Sequence, residues 1–175
     1  MELTRREDVF IPLKERVRLA NDWGADVFVS IHLNSSPVPK ARGFEVYFLS
    51  PEASDPETER LALKESEGHL PLHKTDVLNI ISDVRTTFHT QESSAFAEEM
   101  FSAISKSVSS NGRGVRQGPF TVLHGTQMPA ILVEVGYVTH VQEALLLTKD
   151  SYLKRLASAI SSGIIDYGLR IKRLG

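Results

Sequence analysis

A single carboxylate interrupts an otherwise apolar stretch of the chain, and this feature constrains the fold more than any other. In residues 129–138, PAILVEVGYV, the only charged side chain is that of Glu134. The β-branched residues around it predict a buried strand over residues 130–135. Burying an ionised carboxylate costs several kcal/mol unless the group meets a partner. Glu134 is therefore predicted to face a cation, a hydrogen-bond donor or a bound ligand.

The rest of the chain alternates between strand and helix patterns. Helices are predicted at residues 11–23, 57–67, 92–108 and 151–171, where apolar side chains recur every three to four positions. Asn111 and Gly112 are predicted to close the third of them. Further strands are predicted at residues 27–32, 43–49 and 120–123. The alternation predicts an α/β fold with a mixed, mostly parallel, twisted sheet that is flanked by helices on both faces.

The size and charge of the chain are those of one ordinary globular domain. The chain has 175 residues, 24% charged residues and a net charge of −2, which predicts a single domain over residues 1–175. Residues 50–76 are polar and contain three prolines, and they are predicted to form a variable segment within it. Lysine and arginine are scattered, so no nucleic-acid groove is expected.

The absence of two sequence features narrows the possible chemistry. Because the chain has no cysteine, a metal site must use His, Asp, Glu or water. No apolar run approaches the roughly 20 residues that cross a bilayer, so no transmembrane segment is predicted. Residues 1–6, MELTRR, lack the apolar core of a signal peptide, and no signal peptide is predicted.

His32 is the second candidate for chemistry. It closes an apolar strand and lies two residues before Asn34, at the carboxyl end where open α/β sheets bind ligands. A histidine there can also be structural, with its ring hydrogen-bonded to the backbone. Glu134 likewise has two structural alternatives, an ion pair with Arg113 or Arg116 and a solvent-facing strand end. If the two strands are adjacent and parallel, His32 and Glu134 offer a metal ligand and a general base on one rim.

Short motifs between residues 3 and 147 follow one another in an order that identifies a family. They are Leu3-Thr4-Arg5, Pro12-Leu13 with Glu15-Arg16-Val17, Ala20-Asn21, Gly24-Ala25-Asp26, Ser30-Ile31-His32 with Asn34, Gly43 with Glu45-Val46-Tyr47, Arg113-Gly114-Val115, Phe120 with Val122-Leu123, and Met128-Pro129-Ala130 followed by Leu132-Val133-Glu134-Val135-Gly136. Each motif alone is weak evidence, but so many in one order are not accidental. The chain resembles the catalytic domain of the zinc-dependent N-acetylmuramoyl-L-alanine amidases of the amidase type 3 family.

The resemblance implies a reaction and a set of site residues. In that family a Zn2+ ion is held by two histidines and a glutamate, and a second glutamate acts as base. By the matching motifs His32 is a zinc ligand and Glu134 is the catalytic residue. Asn34 and His124 are candidates for substrate binding. The implied substrate is peptidoglycan, cleaved between N-acetylmuramic acid and the L-alanine of the stem peptide, in the periplasm or outside the cell, with an activator protein as a possible partner.

The resemblance also implies that parts of the family's metal site are missing. The first zinc-binding histidine and the ligand glutamate lie, in the family, upstream of the motif that starts here at Leu3. The chain is therefore expected to lack the family's N-terminal strand and helix and two of three zinc ligands. An exposed sheet edge would follow, with self-association as one outcome. His69 and His73 are expected to be exposed to solvent, and residues 50–76 look too short for an inhibitory helix.

Two alternatives to the amidase hypothesis remain open from the sequence. The missing ligands would also fit a catalytically inactive module that binds or regulates peptidoglycan. A zinc carboxypeptidase-like hydrolase, which cuts a peptide bond rather than the sugar-linked amide, is the third possibility. Zinc content separates the first two, and the mass of the released products identifies the third.

Overall fold

The computed structural model describes residues 1–66 and 84–174, and within these ranges the side chains of residues 1–66 and 89–171. His69 and His73 lie outside the described residues, as do all residues from 67 to 76 of the predicted variable segment. The described helices are α1 (Leu13–Asp22), α2 (Pro56–Glu65), α3 (Val84–Ser107), α4 (Val141–Leu147) and α5 (Asp150–Leu174), and a 3-10 helix spans Thr121–Leu123. The strands are β1 (Phe28–Asn34), β2 (Phe44–Leu49), β3 (Gly112–Gly118) and β4 (Ala130–Tyr137).

The four strands form one sheet in the order β1-β4-β2-β3. At the start of β1 the Phe28 N–H donates to the Pro129 carbonyl at 2.9 Å. At its end the Asn34 carbonyl accepts from the Val138 N–H at 2.9 Å. The residue numbers of both strands rise together between these two bonds, so β1 and β4 are parallel.

The other pair of neighbours, β2 and β3, has the same direction. The Phe44 N–H donates to the Asn111 carbonyl at 3.1 Å, and the Ser50 N–H donates to the Gly118 carbonyl at 3.1 Å. These bonds again join rising residue numbers on both strands, which makes the pair parallel.

Glu143 of α4 shows how β4 and β2 are oriented. Its carboxylate accepts the N–H of Tyr137, the last residue of β4, and the N–H of Gly43, which immediately precedes β2. The end of β4 thus lies beside the start of β2, and the two strands are antiparallel. The sheet is mixed, and the predicted α/β class with a mixed, mostly parallel sheet is confirmed.

The described contacts divide the chain into two compact units. The first comprises Met1–Phe28, Phe48–Ser93 and Arg116–Ile131. Its α1 buries Leu13, Val17 and Ala20 and packs on the 3-10 helix. Asn21 fastens α1 to the following loop, because its side chain donates to the Gly125 carbonyl at 2.9 Å and accepts from the Gln127 N–H at 3.0 Å.

The second unit comprises Val29–Tyr47, Ser94–Val115 and Leu132–Gly175. In its core the rings of Phe96 on α3 and Tyr167 on α5 stack with centroids 4.5 Å apart. Met100 and Ile104 of α3 are fully buried. A single domain over residues 1–175 stays a prediction. None of the described helices has both the length and the hydrophobicity that crossing a bilayer requires.

Three element predictions were wrong, each for an identifiable reason. Residues 120–123 are not a strand, because the buried Phe120, Val122 and Leu123 supply apolar contacts from a 3-10 turn rather than from a sheet. Gly112, which was predicted to close the third helix, instead begins β3, whose sequence GRGVRQG has three glycines and no apolar alternation. Helix α3 begins at Val84 and not at residue 92. The sequence of residues 84–91 has no apolar stripe that would predict a helix.

Candidate metal and catalytic site

His32 lies on the inner side of β1. Phe28, Ser30 and Asn34 of this strand are buried, whereas Ile31 and Leu33 are 57% and 52% exposed. Since side chains alternate along a strand, even-numbered positions face inward, and His32 is partly buried among them. The Ser30 hydroxyl lies 2.9 Å from His32 Nε2. This hydrogen bond orients the imidazole, as an outer partner does for a metal-binding histidine.

Glu134 lies near the middle of β4, where every residue is buried. Its side chain is 0% exposed, so the alternative of a solvent-facing strand end is wrong. A carboxylate in a low-dielectric interior interacts strongly with any charge or dipole beside it. The burial that the apolar sequence predicts for Glu134 is confirmed.

The structure brings the two predicted residues together. A ring nitrogen of His32 and a carboxylate oxygen of Glu134 lie within 4.8 Å of each other. The two strands are adjacent and parallel, as the shared rim requires. This spacing is short enough for one water molecule, or one zinc ion with bonds of about 2 Å, to lie between the two side chains.

The arginines considered as partners of Glu134 contact other carboxylates. In the second unit the Nε of Arg113 donates to Glu45 at 3.0 Å. In the first unit Arg116 donates to Asp55 at 2.7 Å. An ion pair of Glu134 with either arginine stays a prediction.

The residue types fit a zinc ion. An imidazole nitrogen and a carboxylate oxygen are both common zinc ligands. In the second unit these two ligand types are offered by His32 and Glu134.

The two candidates for substrate binding occupy different settings. Asn34 is 4% exposed and its side-chain amide donates to Glu45 Oε2 at 3.4 Å. His124 follows the 3-10 helix in the first unit and is half-buried. Their contact with a substrate stays a prediction. Glu45 itself is 0% exposed and was missed, although the signal that revealed Glu134, one carboxylate in an apolar run, is also present in Phe44-Glu45-Val46-Tyr47.

A family model described as N-acetylmuramoyl-L-alanine amidase matches residues 1–166. The chain is similar to the N-acetylmuramoyl-L-alanine amidase AmiA of Escherichia coli K12, with 32% identity over 172 residues that cover 94% of this chain and 60% of AmiA. It is also similar to the N-acetylmuramoyl-L-alanine amidase AmiC of Neisseria meningitidis serogroup B, with 30% identity over 94% of this chain and 41% of AmiC. The chain thus spans three fifths or less of the length of these relatives.

A solved structure supports the same relationship. The catalytic domain of CwlV, an N-acetylmuramoyl-L-alanine amidase from Bacillus (Paenibacillus) polymyxa var. colistinus, superposes with a TM-score of 0.70 at 31% sequence identity. The match covers 95% of this chain and 70% of that one. A fold and a sequence match of this extent place the two chains on the same scaffold.

Proposed function

Because the chain belongs to the N-acetylmuramoyl-L-alanine amidase family, we propose that it hydrolyses the amide bond between N-acetylmuramic acid and the L-alanine of the peptidoglycan stem peptide. The observation that carries the proposal is the fully buried Glu134 with a carboxylate oxygen within 4.8 Å of a His32 ring nitrogen. A base and a metal-binding imidazole at this spacing are the minimum that the hydrolysis of an amide by activated water requires.

Glu134 is the proposed general base. Its carboxylate takes a proton from the water that attacks the amide carbonyl, and later returns that proton to the leaving amine. Every residue of β4 is buried, so Glu134 exchanges this proton in apolar surroundings. Burial also keeps bulk water away from the proton while Glu134 holds it.

His32 is the proposed metal ligand, oriented by the Ser30 hydroxyl at 2.9 Å. Zinc, when bound, supplies Lewis-acid activation of the water and of the amide carbonyl. One histidine does not hold zinc tightly, so further ligands are required.

The inactive peptidoglycan-binding or regulatory module is the weaker alternative. It depends on the ligands expected to be missing, whereas the relatives of this chain carry the name N-acetylmuramoyl-L-alanine amidase. A peptidoglycan substrate would place the activity at the cell wall, in the periplasm or outside the cell. An activator protein remains a prediction.

Glu134→Gln is the direct test. We expect the purified protein, supplied with zinc, to release stem peptides that begin with L-alanine from peptidoglycan, as seen by mass spectrometry. Replacing the base with an amide of the same shape should lower this rate by a factor of roughly 10²–10⁴. Glu59→Gln, at an exposed position of α2, is the matched control and should keep the full rate.

The outcomes separate the candidate functions. Full activity in Glu134→Gln would refute its role as base. Products cut within the stem peptide would identify a carboxypeptidase-like enzyme instead. Binding of peptidoglycan without any cleavage by the wild-type protein would favour the inactive module. Loss of bound zinc in His32→Ala, measured by elemental analysis, is expected if His32 is a ligand.

A further inference from the structure

Glu45 on β2 is a second fully buried carboxylate, and the proposed reaction does not use it. Its side chain is 0% exposed, like that of Glu134. Removing one partner of such a buried charge is strongly destabilising, since the remaining charge is left in an apolar interior. The hydrogen-bond donors around Glu45 therefore indicate the role of its buried charge.

The carboxylate of Glu45 accepts hydrogen bonds from each of the other three strands. From β3, Arg113 Nε donates to Oε1 at 3.0 Å. From β4, the Tyr137 hydroxyl donates to Oε2 at 2.9 Å. From β1, the side-chain amide of Asn34 donates to Oε2 at 3.4 Å. All of these residues belong to the second unit. The Glu45 carboxylate thus links β2 to the other three strands.

Two of these donors lie on the same strands as the residues of the proposed site. Asn34 lies two positions after His32 on β1, and Tyr137 lies three positions after Glu134 on β4. Both bind the same oxygen of Glu45. The backbone hydrogen bond from the Val138 N–H to the Asn34 carbonyl already joins the ends of β1 and β4 at 2.9 Å. The shared acceptor adds a side-chain link, which fixes the Asn34 amide and the Tyr137 hydroxyl relative to each other.

We propose that Glu45 is a positioning residue, which holds the ends of β1 and β4 so that His32 and Glu134 keep their spacing. The inference rests on the proposed amidase function for its effect on catalysis. An ionised carboxylate suits the task, because its two oxygens accept all three donors at once. A glutamine at position 45 offers only one acceptor oxygen and turns an N–H₂ group toward one of the donors.

Glu45→Gln tests the proposal in the intact protein. We expect kcat to fall about tenfold with KM within a factor of two, because the substrate still binds while base and metal ligand are misaligned. Zinc affinity, measured by competition with a chromogenic chelator, should fall about tenfold as well. Arg113→Lys, which keeps the charge on β3, should preserve more of both quantities than Glu45→Gln.

A milder variant and a buried control keep the test decisive. Tyr137→Phe removes a single donor and leaves the Glu45–Arg113 pair, so it should show smaller losses of the same kind if Glu45→Gln does not fold. Glu143→Gln disturbs another buried carboxylate, which binds Gly43, Ser110 and Tyr137 but no donor of β1. It should lower the melting temperature with a smaller effect on zinc affinity.

The two proposals fail in different ways. A wild-type protein without amidase activity refutes the proposed function. Positioning is then still measured by zinc affinity and by the nuclear magnetic resonance signals of the His32 ring. A Glu45→Gln protein with a lowered melting temperature but unchanged zinc affinity, kcat and His32 signals would show that Glu45 only stabilises the fold.

Discussion

Asp55 stabilises the first turn of α2 with a charge that can be titrated. Its Oδ1 accepts the N–H groups of Glu57 and Thr58 at 2.9 Å each, and its Oδ2 lies 2.7 Å from Arg116. Burial by itself raises the pKa of Asp55, but the hydrogen bonds from Thr58 and Glu57 and the positive charge of Arg116 outweigh it, so the pKa is lowered. An acid with a lowered pKa stabilises the fold in its ionised form.

The pH dependence of Asp55 follows from that shift. The stabilisation is complete above the unfolded-state pKa of about 3.9 and is lost as the pH falls through the lower folded-state pKa. Asp55→Asn keeps the cap but removes the charge. We expect it to reduce the free energy of unfolding by about 1 kcal/mol at pH 6, measured by urea titration. The difference between the two proteins should shrink toward pH 3, and a constant difference would contradict the assignment.

At the residue scale, a candidate functional residue could be predicted from the sequence where a polar side chain interrupts an apolar strand. Glu134 and His32 could be predicted because a carboxylate and an imidazole stand out in apolar strands. Glu45 stands out in the same way, yet its role depends on donors that are far away in the sequence. A single sequence does not show which distant residues form hydrogen bonds with one another.

At the scale of the element, α3 and α5 pack closely because Gly163 of α5 has no side chain. A Cβ at Gly163 would lie 3.0 Å from Met100 Sδ and 3.2 Å from Met100 Cα. On the same helix, a Cβ at Gly168 would meet nothing within 4 Å. The two glycines therefore form a matched pair, one at a close helix contact and one in open space.

The same substitution should have opposite effects at these two positions. Gly168→Ala is expected to raise the free energy of unfolding by about 0.5–1 kcal/mol through helix propensity. Gly163→Ala gains the same propensity but pushes on the backbone of α3, and we expect a net loss of about 1 kcal/mol. Urea titrations of both variants measure the difference. Equal stabilisation by both would contradict the close contact.

Elements with a strong apolar periodicity could be predicted from the sequence. Elements that depend on hydrogen bonds from neighbouring segments could not. Helix α1 and strand β4 match their apolar patterns closely. Strand β3 has three glycines in seven residues, and it is a strand because β2 supplies its hydrogen bonds. The short helix α4 was also missed, since it depends on His140 as a cap and on the buried contacts of Glu143.

At the scale of the whole molecule, the outer side of β1 is the feature that bears on assembly. This strand lies at an edge of the described sheet, and its outward Ile31 and Leu33 are 57% and 52% exposed. An apolar edge strand can pair with another chain. The self-association expected from the sequence stays a prediction, and these two residues are where it should be tested.

Leu33→Lys is the variant for that test, because a lysine on an edge strand opposes pairing. We expect the molar mass of the wild-type protein, measured by analytical ultracentrifugation, to rise with concentration and that of Leu33→Lys to stay at the monomer value. Leu169→Lys, at an exposed position of α5, is the control and should behave like the wild type. A wild-type monomer at every concentration would refute the prediction.

The single anion shared by three strands also limits how this sequence can diverge. A neutral residue at position 45 would remove the carboxylate that the partly buried Arg113 contacts. A neutral residue at position 113 would leave the fully buried Glu45 carboxylate without its cationic donor. Substitutions at these positions are therefore tolerated more easily as a pair than one at a time. Among descendants of this chain, the two sites should change together, with an ionic pair giving way to an uncharged one in a linked step.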